Sequence, residues 1–368
     1  MIRQFSDRAR RDSVNLGLGE PDLPTPEVIV REAVRVIKEG KNGYTLQAGL
    51  PALRELIARD YPHLNLSPNN VIVTAGSQEA LYLILRVLVE EGDEVLLPNP
   101  GFIAYSMLTR MAGGRAVFYR LRAKNDFGFD LADFKQRINE RTKVVFCTSP
   151  SNPTGRALTP DDLRGLAGAV AESGSKAFII SDEIYRELYY APERAASISE
   201  FCPRTIVLSG LSKSMCMTGW RLGWMCGDAE VIRSALVLHG YVTTCASTIS
   251  QKAALAAWTE EAAAARAEIR RIFRSRRDHL ISLIQSELGL RAVVPDGAFY
   301  VMIEISQYGT SMEVAEAMLD HGVITIPGVA FGDESEGFLR VSFCANEPAL
   351  REGVARMKAA LTSCCNGA

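Results

Sequence analysis

The chain has 368 residues, 47% of them hydrophobic and 23% charged, with a formal net charge of −2. This length allows one large hydrophobic core and a smaller second one, and the composition is ordinary for a soluble globular protein. The near-neutral charge gives no electrostatic footprint for nucleic acid or an anionic membrane, and no run approaches the ~18 apolar residues of a membrane span. We therefore expect neither nucleic acid nor a membrane as a partner.

Eight cysteines are spread along the chain without the paired spacing of a zinc site. Several stand inside apolar runs, as small buried hydrophobic residues do. The first residues, Met-Ile-Arg-Gln-Phe-Ser-Asp, lack the apolar core of a signal peptide. These features predict a reduced, metal-free protein of the cytoplasm.

Short apolar runs alternate with helical patterns between about residue 70 and residue 226. The predicted helices include residues 78–91 and 160–173, and the seven predicted strands are residues 71–74, 94–97, 116–119, 143–147, 177–180, 205–208 and 223–226. This alternation predicts an α/β domain in which helices flank a mostly parallel, seven-stranded sheet. Ligands of such sheets bind beyond the carboxyl ends of the strands. Four polar residues follow the predicted strands: Ser77, Asn152, Asp182 and Lys213.

The C-terminal third has a different pattern. Residues 250–288 form a long helical region without Pro or Gly, followed by an apolar run at 293–304, a helix near 312–321 and a strand around Arg340. This pattern predicts a smaller α+β domain.

The residues around Lys213 suggest covalent cofactor chemistry. Two strand-forming residues lead into Ser209-Gly-Leu-Ser-Lys213, and Arg221 follows in Thr218-Gly-Trp-Arg-Leu-Gly223. A lysine that forms a Schiff base requires neighbours that orient it, and a planar guanidinium matches the oxygens of a phosphate. Alone, this segment fits an ordinary surface loop equally well.

Three further segments carry polar residues on or after strands. Ser149-Pro-Ser-Asn152-Pro-Thr-Gly155 follows an apolar run, Asp182 ends a strand with Tyr185 three residues later, and Arg340 is the single arginine of Phe338-Leu-Arg-Val-Ser-Phe343. Taken singly, each has an ordinary structural interpretation: a turn asparagine before proline, a loop aspartate, and an arginine on a solvated strand face.

In their order and spacing, these segments together resemble the class I/II, fold-type I, pyridoxal-phosphate-dependent aminotransferases of the aspartate and aromatic type. The resemblance runs from about Asn15 to the end of the helix after Asn346, which is nearly the whole chain. It implies pyridoxal 5′-phosphate as the cofactor. It also implies a large cofactor-binding domain at residues 31–270 and a small domain formed by residues 1–30 and 271–368.

The resemblance assigns roles toward the cofactor. It implies that Lys213 holds the cofactor as a Schiff base and shuttles the proton, and that Asp182 keeps the ring nitrogen protonated so that negative charge at the substrate Cα flows into the ring. Tyr185, with Asn152, matches the pair that bonds the phenolic oxygen. Lys213, Asp182 and Tyr185 are therefore the candidate catalytic residues. The candidate cofactor-binding set is Tyr44, Gly76, Ser77, Gln78, Phe102, Asn152, Asp182, Tyr185, Ser212, Lys213 and Arg221.

The remaining roles concern the ring, the substrate and a second subunit. Phe102 matches the aromatic residue that stacks on the pyridine ring. Arg340 matches the arginine that grips the substrate α-carboxylate in a bidentate pair, with Gly19 and Asn152 beside it. Tyr44 resembles the tyrosine that reaches the phosphate of the neighbouring subunit, so the resemblance implies a homodimer with shared active sites.

Three departures from the family pattern concern the phosphate and the substrate side chain. Gly210 stands three residues before Lys213, where some relatives have a phosphate-binding serine. The segment Gly76-Ser-Gln78 lacks the lysine that some aspartate-specific members use for the distal carboxylate, and no second arginine matches a side-chain carboxylate pocket. We therefore expect neutral or aromatic amino acids to be accepted beside aspartate or glutamate.

The sequence thus predicts an aminotransferase that moves the amino group of an L-amino acid to a 2-oxo acid, by analogy 2-oxoglutarate, in a ping-pong mechanism. A C–S lyase or another β- or γ-lyase on the same scaffold remains an alternative, because it requires the same Lys, Asp and Arg. A regulatory ligand-binding protein of this fold is the second alternative. Such regulators carry an added DNA-binding segment, and few residues precede the matched region, so we expect an enzyme.

Overall fold

The computed structural model describes residues 5, 7–8 and 10–366. Within that part the strands are β1 Val14–Asn15, β2 Val71–Thr74, β3 Glu94–Asn99, β4 Arg115–Arg122, β5 Gly128–Phe129, β6 Thr142–Thr148, β7 Phe178–Asp182, β8 Thr205–Gly210, β9 Gly223–Cys226, β10 Ala292–Val293, β11 Tyr300–Glu304, β12 Val323–Ile324, β13 Ile326–Pro327 and β14 Phe338–Ser342. The α-helices are α1 Glu27–Glu39, α2 Pro51–Arg59, α3 Ser77–Leu88, α4 Ile103–Met111, α5 Leu131–Arg137, α6 Pro160–Glu172, α7 Ala229–Val242, α8 Thr248–Ala254, α9 Glu260–Leu283, α10 Ser311–Asp320 and α11 Glu347–Asn366.

The largest sheet has eight strands in the order β2-β9-β8-β7-β6-β3-β4-β5. Strands β4, β3, β6, β7 and β8 are parallel to one another, whereas β9 is antiparallel to both its neighbours. All seven predicted strands are confirmed. The eighth, β5, has two residues and pairs antiparallel with the end of β4, and so short a segment has no periodic pattern in the sequence.

Helices cover both faces of this sheet because successive strand residues alternate between the faces. Val144 and Phe146 of β6 pack with α3, α4 and α7, while Val145 and Cys147 of the same strand pack with α5 and α6. Such double coverage explains why the central strands read as continuous apolar runs rather than alternating ones.

A four-stranded antiparallel sheet in the order β10-β11-β14-β13 forms the second unit, and a two-stranded parallel sheet joins β1 to β12. The chain near residue 14 therefore packs with the C-terminal third. The boundaries at residues 30/31 and 270/271 stay a prediction, since α9 continues through residue 270. The ends of that assignment, residues 1–4, 6, 9 and 367–368, lie outside the described residues.

The helical region predicted at 250–288 is interrupted. It contains α8, a 3₁₀ turn Leu255–Trp258, α9, and a π-helical turn Ile284–Leu288. Thr259 starts α9 as an N-cap, with its side chain accepting a hydrogen bond from Ala262 N, so a capping threonine ends the run without Pro or Gly. Within the described residues, no helix combines the length and apolarity needed to cross a membrane.

Candidate active site

A cavity of about 440 Å³ lies where the carboxyl ends of the parallel strands meet the second unit. Thr148 ends β6, Asp182 ends β7, and Lys213 follows β8 by three residues. The cavity lining includes eleven of the thirteen predicted site residues: Gly19, Ser77, Gln78, Phe102, Asn152, Asp182, Tyr185, Ser212, Lys213, Arg221 and Arg340.

The other two predicted residues lie beside or outside the cavity lining. Gly76 directly precedes Ser77 and has a φ of +84°, and a Cβ placed on it would lie 2.7 Å from Arg221 Nη2. Tyr44 is 88% exposed and does not line the cavity of its own chain.

Asp182 is a buried carboxylate, 4% exposed, that forms no ion pair with a described residue. Its Oδ2 accepts a hydrogen bond from the Tyr105 hydroxyl at 2.7 Å, and its Oδ1 accepts one from Ile184 N at 3.2 Å. Burial raises the pKa of the Asp182 carboxyl above its ordinary value, and these two hydrogen bonds oppose the shift only in part. A cation at this end of the cavity would therefore be strongly favoured.

Tyr105 is a site residue that sequence reasoning missed. Its ring stacks on Phe146 with centroids 4.5 Å apart, and its hydroxyl bonds both Asp182 and Thr148, the latter at 2.9 Å. The available signal was the spacing: Tyr105 follows Phe102, the N-cap of α4, by three residues, and the two rings pack edge to face with centroids 5.6 Å apart.

Lys213 lines the same cavity, close enough to Arg340 and Arg221 to be affected by both charges. Its Nζ donates a hydrogen bond to Gly19 O at 2.8 Å and lies 5.6 Å from the centroid of the Phe299 ring. Burial is the largest cause that lowers the pKa of Lys213, and the positive charges of Arg340 and Arg221 act in the same direction. A lowered pKa increases the fraction of neutral amine, which is the nucleophilic form.

One end of the cavity has the donors that an anion requires. Ser77 and Gln78 begin α3, and the first N–H groups of a helix lack partners within the helix. Arg221 lies beside them in the left-handed region at φ +53°, with its Nη1 donating to Thr218 O at 2.9 Å. A strained, exposed arginine that forms no described ion pair next to a helix N-terminus suits a phosphate group.

Gly210, the departure noted in the sequence, has no room for a side chain. A Cβ on Gly210 would lie 2.9 Å from Leu222 O and 3.1 Å from Gly223 Cα. The close pairing of β8 with β9 therefore excludes a serine here, and the hydroxyls that line the cavity nearby belong to Ser77 and Ser212.

The opposite end of the cavity contains Arg340, which is 3% exposed. Its Nη1 donates to Asn152 Oδ1 at 2.8 Å, its Nη2 donates to Gly17 O, and its Nε has no partner among the described residues. The guanidinium lies between two aromatic rings, 4.2 Å from the centroid of Tyr300 and 4.7 Å from that of Phe331. A buried guanidinium without a described counter-ion is a binding site for a carboxylate.

Tyr300 is the second residue that sequence reasoning missed. Its hydroxyl bonds the Tyr185 hydroxyl at 2.9 Å, and a Cβ added to Gly19 would lie 1.8 Å from it. Only a glycine at position 19 lets the chain pass this close to Tyr300. The contact depends on the register of β11 against β14, in which Met302 faces Arg340, and no local sequence signal reveals that register.

The charged residues among the described cavity lining are Asp182, Lys213, Arg221 and Arg340. The arrangement is a carboxylate deep in the cavity, an anion site at the start of α3, a second anion site at Arg340, and an amine between them. It can hold a ligand with a cationic ring atom and a phosphate while a second, carboxylate-bearing ligand approaches the amine.

Comparisons with known proteins agree with this geometry. The family model for aminotransferase class I and II matches residues 11–357. The chain is 36% identical to a probable aspartate aminotransferase of Methanocaldococcus jannaschii, covering 93% of this chain and 92% of that protein. It is also 36% identical to the aspartate/prephenate aminotransferase of Thermus thermophilus, covering 94% and 90%.

Solved structures give the same result at the level of the fold. The aspartate aminotransferase of Thermus thermophilus with maleate superposes with a TM-score of 0.91 at 34% identity, covering 98% of this chain and 94% of that one. The aromatic aminotransferase of Pyrococcus horikoshii superposes with a TM-score of 0.91 at 32% identity, covering 99% of each chain. The chain belongs to the class I and II aminotransferases.

Proposed function

We propose that this aminotransferase binds pyridoxal 5′-phosphate covalently through Lys213 and transfers the amino group of an L-amino acid to a 2-oxo acid, with 2-oxoglutarate as the expected acceptor, in a ping-pong mechanism. The observation that carries the proposal is one cavity lined by a buried carboxylate and a buried guanidinium, both without described counter-ions, together with a lysine amine.

The donor set fits the cofactor at both of its polar ends. The raised pKa of Asp182 marks a carboxylate that lacks a cation, and a protonated pyridine nitrogen supplies one. At the other end, the start of α3, Ser212 and Arg221 offer N–H, hydroxyl and guanidinium donors to a phosphate. Phe102 presents a half-buried ring in the same cavity for stacking.

When bound, pyridoxal phosphate supplies an electron sink for the pair released from the substrate Cα–H bond and carries the amino group between the two half-reactions. Lys213 Nζ accepts the proton from Cα and later donates it. The lowered pKa of this amine favours the neutral form that can accept a proton. The Gly19 carbonyl, which accepts a hydrogen bond from Nζ, orients the amine.

Asp182 stabilises positive charge on the ring nitrogen, and Tyr105 fixes the orientation of its carboxylate. Tyr185 and Asn152 are assigned to the phenolic oxygen. Burial raises the pKa of Tyr185 well above that of free tyrosine, so its hydroxyl remains a hydrogen-bond donor at neutral pH. The Tyr300 hydroxyl, 2.9 Å from that of Tyr185, orients this donor.

Arg340 is assigned to the substrate α-carboxylate. Its Nε faces no described partner and its Nη1 already bonds Asn152, so a carboxylate can accept from the free side of the guanidinium while the Asn152 amide stays close. The aromatic rings of Tyr300 and Phe331 fix the plane of the guanidinium and exclude water from it.

For the donor side chain, we propose acceptance of neutral, including aromatic, amino acids beside acidic ones. The described cations of the cavity lining are Lys213, Arg221 and Arg340, and each is already assigned to the cofactor or to the substrate α-carboxylate. A second, smaller pocket of about 120 Å³ is separated from the main cavity by Phe102, Ile103 and Tyr105, which line both, and its other lining residues include Phe118 and Phe331. An apolar side chain gains free energy by entering this pocket, whereas a carboxylate loses its hydration there.

We further propose a homodimer in which Tyr44 serves the phosphate site of the other subunit. The support is the 88% exposure of an aromatic side chain that lies outside its own cavity. Leu46 is 60% exposed and Tyr241 is 90% exposed, and burial of such apolar surface is what drives subunit association.

A half-reaction distinguishes transamination from elimination. Enzyme loaded with pyridoxal phosphate is mixed with single amino acids, without any 2-oxo acid, and the products are separated. We expect pyridoxamine phosphate and the matching 2-oxo acid in equal amounts, followed by recovery of pyridoxal phosphate on addition of 2-oxoglutarate. Release of ammonia and pyruvate from a β-substituted amino acid, without pyridoxamine phosphate, would instead identify a lyase.

The donor panel then tests the side-chain proposal. Aspartate, glutamate, phenylalanine, tyrosine and leucine are compared by kcat/KM with 2-oxoglutarate and with pyruvate as acceptors. We expect turnover of at least one neutral donor. An enzyme that uses aspartate and rejects every neutral donor would require a distal-carboxylate cation outside the described cavity, such as one from a second subunit.

A further inference from the structure

The N-terminus of α3 is held by three residues that do not line the cavity, Glu79, His239 and Thr243. Glu79 Oε2 accepts a hydrogen bond from Ala75 N at 2.6 Å. Its Oε1 accepts from His239 Nδ1 at 2.8 Å and from the Thr243 hydroxyl. One carboxylate thus joins the turn before α3 to the C-terminal end of α7.

The contact between Glu79 and His239 is buried. The side chain of Glu79 is 8% exposed and that of His239 is 0% exposed. His239 Nε2 has no hydrogen-bond partner among the described residues, so the imidazole is anchored through Nδ1 alone. Burial opposes ionisation of Glu79, but the bonds from His239, Thr243 and Ala75 outweigh it and lower the pKa of the carboxyl. The carboxylate is therefore charged at neutral pH.

The position of Glu79 explains what the cluster does to the backbone. Gly76 is the N-cap of α3 and Glu79 its third helical residue. In a capping box a glutamate at this position accepts from the N-cap N–H. Here it accepts from Ala75 N, one residue earlier, while Gly76 N donates to Thr74 O at 2.8 Å and the Thr74 hydroxyl donates to Gly76 O at 2.9 Å. The turn from Thr74 to Ser77 is thus fixed by its own hydrogen bonds and by Glu79, which does not line the cavity.

Helix α7 connects this cluster with the segment that contains Tyr44. Gln47 Nε2 donates to Leu236 O of α7 at 2.9 Å, one helical turn before His239. The same helix therefore supports the turn before α3 and the segment whose tyrosine is assigned to the phosphate of a second subunit.

We propose that Glu79, His239 and Thr243 are positioning residues for the cofactor phosphate: they hold the turn Thr74–Ser77 so that the N–H groups at the start of α3 are aimed before the phosphate binds. This inference rests on the proposed function and goes beyond it, because it assigns phosphate affinity to residues that touch neither cofactor nor substrate. Donors that are already ordered do not lose conformational entropy when the phosphate binds. If the supporting residues are removed and the donors become disordered, the phosphate group should bind more weakly.

The experiment compares two ligands that differ in the phosphate. Dissociation constants of pyridoxal phosphate and of pyridoxal are measured on cofactor-free protein, by fluorescence and absorbance titration, for the wild type, Glu79→Ala, Glu79→Gln and Thr243→Val. We expect Glu79→Ala to raise the dissociation constant of pyridoxal phosphate by about 10-fold or more and that of pyridoxal by less than about twofold. Glu79→Gln retains an acceptor for Ala75 N and should lose less, and Thr243→Val should show a smaller change in the same direction.

A matched control comes from another helix of the same chain. Glu313 Oε2 accepts from Thr310 N at 2.9 Å at the start of α10, away from the cavity, and Glu313→Gln should leave the ratio of the two constants at the wild-type value. An unchanged ratio in both Glu79→Ala and Thr243→Val, or an equal loss for both ligands, would overturn the positioning role. If Glu79→Ala does not fold, Thr243→Val decides. A wild type that binds neither ligand would overturn the proposed function itself.

Discussion

The buried charge of Asp182 lowers the stability of the folded protein. A buried carboxylate without a cation costs free energy, because burial raises the pKa of Asp182 and so makes its ionisation less favourable in the folded than in the unfolded protein. In the proposed mechanism, catalysis requires this charge opposite the ring nitrogen. Stability and activity should therefore change in opposite directions when the charge is removed.

Asp182→Asn tests this conflict. Above the raised folded-state pKa the carboxylate carries its full penalty, and below the unfolded-state pKa of about 3.9 both states are protonated and the penalty is absent. The variant should therefore raise the Tm of the cofactor-free protein at neutral pH, and this gain should fade as the pH falls toward 4. Turnover should fall on the order of 100-fold or more. Thermal unfolding across pH and steady-state assays measure the two effects.

Asp133 provides the matched control, since it is 5% exposed but lies within 4 Å of two arginines, Arg137 at 3.5 Å and Arg122 at 3.9 Å. Asp133→Asn removes partners from two cations and should lower the Tm at neutral pH. Near-normal turnover of Asp182→Asn would show that the Asp182 carboxylate has another task.

In the proposed function, Arg340 binds the α-carboxylate of every donor, whereas the donor side chain is selected by other residues. Removing one partner of a buried guanidinium–carboxylate pair costs about 3–5 kcal/mol. Arg340→Ala should thus lower kcat/KM for every donor on the order of a hundred- to several-thousandfold and leave the ranking of the donors unchanged. Kinetics over the donor panel measure this effect, and a reordered ranking would mean that Arg340 also contacts the side chain.

At the scale of elements, the turn between β2 and α3 is built for glycine. Gly76 has a φ of +84° and a Cβ there would lie 2.7 Å from Arg221 Nη2. Gly76→Ala should weaken pyridoxal phosphate binding about 10-fold or more, because the methyl group strains the turn and displaces the guanidinium. Equilibrium titration of cofactor-free protein measures it.

Gly219 is the control for that substitution, since it lies two residues from Arg221, has no positive φ, and has no atom within 4 Å of the position that an added methyl group would take. Gly219→Ala should bind the cofactor like the wild type. Equal affinity of Gly76→Ala and the wild type for pyridoxal phosphate would show that this turn does not contribute to phosphate binding.

The same elements show how far sequence reasoning extends. The seven main strands were predictable because burial on both faces makes each a continuous apolar run, and residues that follow such strands were expected at one edge of the sheet. Asp182 and Lys213 line the cavity at that edge, as this expectation requires, whereas Arg340 lies within β14 of the smaller sheet and was proposed from the family resemblance. The roles of all three residues come from that resemblance. Tyr300 was not predicted, because its place depends on the pairing of β11 with β14, a contact between segments distant in sequence. Likewise, the break after α8 was missed, because a 3₁₀ turn and then Thr259, which caps the start of α9, interrupt the helical region there without any Pro or Gly.

For the whole molecule, the role proposed for Tyr44 requires a second chain. Tyr44 lies outside the cavity of its own chain, and Gln47 fastens its segment to α7, whose residues Val237, Tyr241 and Val242 are 57%, 90% and 54% exposed. An apolar surface of this kind next to a tyrosine assigned to a phosphate favours a subunit interface.

Mixed dimers test the shared site. Lys213→Ala and Tyr44→Ala subunits are each nearly inactive alone, but a heterodimer contains one cavity with both Lys213 and the other subunit's Tyr44 intact. We expect about half of the wild-type activity per heterodimer, measured after subunit exchange is verified with differently tagged chains. If Tyr44 acted within its own chain, both cavities would be defective and no activity would return.

Reductive labelling shows which lysine amine carries the cofactor, and we propose that it is Lys213. Borohydride treatment of the protein loaded with pyridoxal phosphate, followed by proteolysis and mass spectrometry, locates the reduced pyridoxyl group. We predict one label per chain, on the peptide containing Lys213, and its loss in Lys213→Ala. A stoichiometric label on any other lysine would contradict the account.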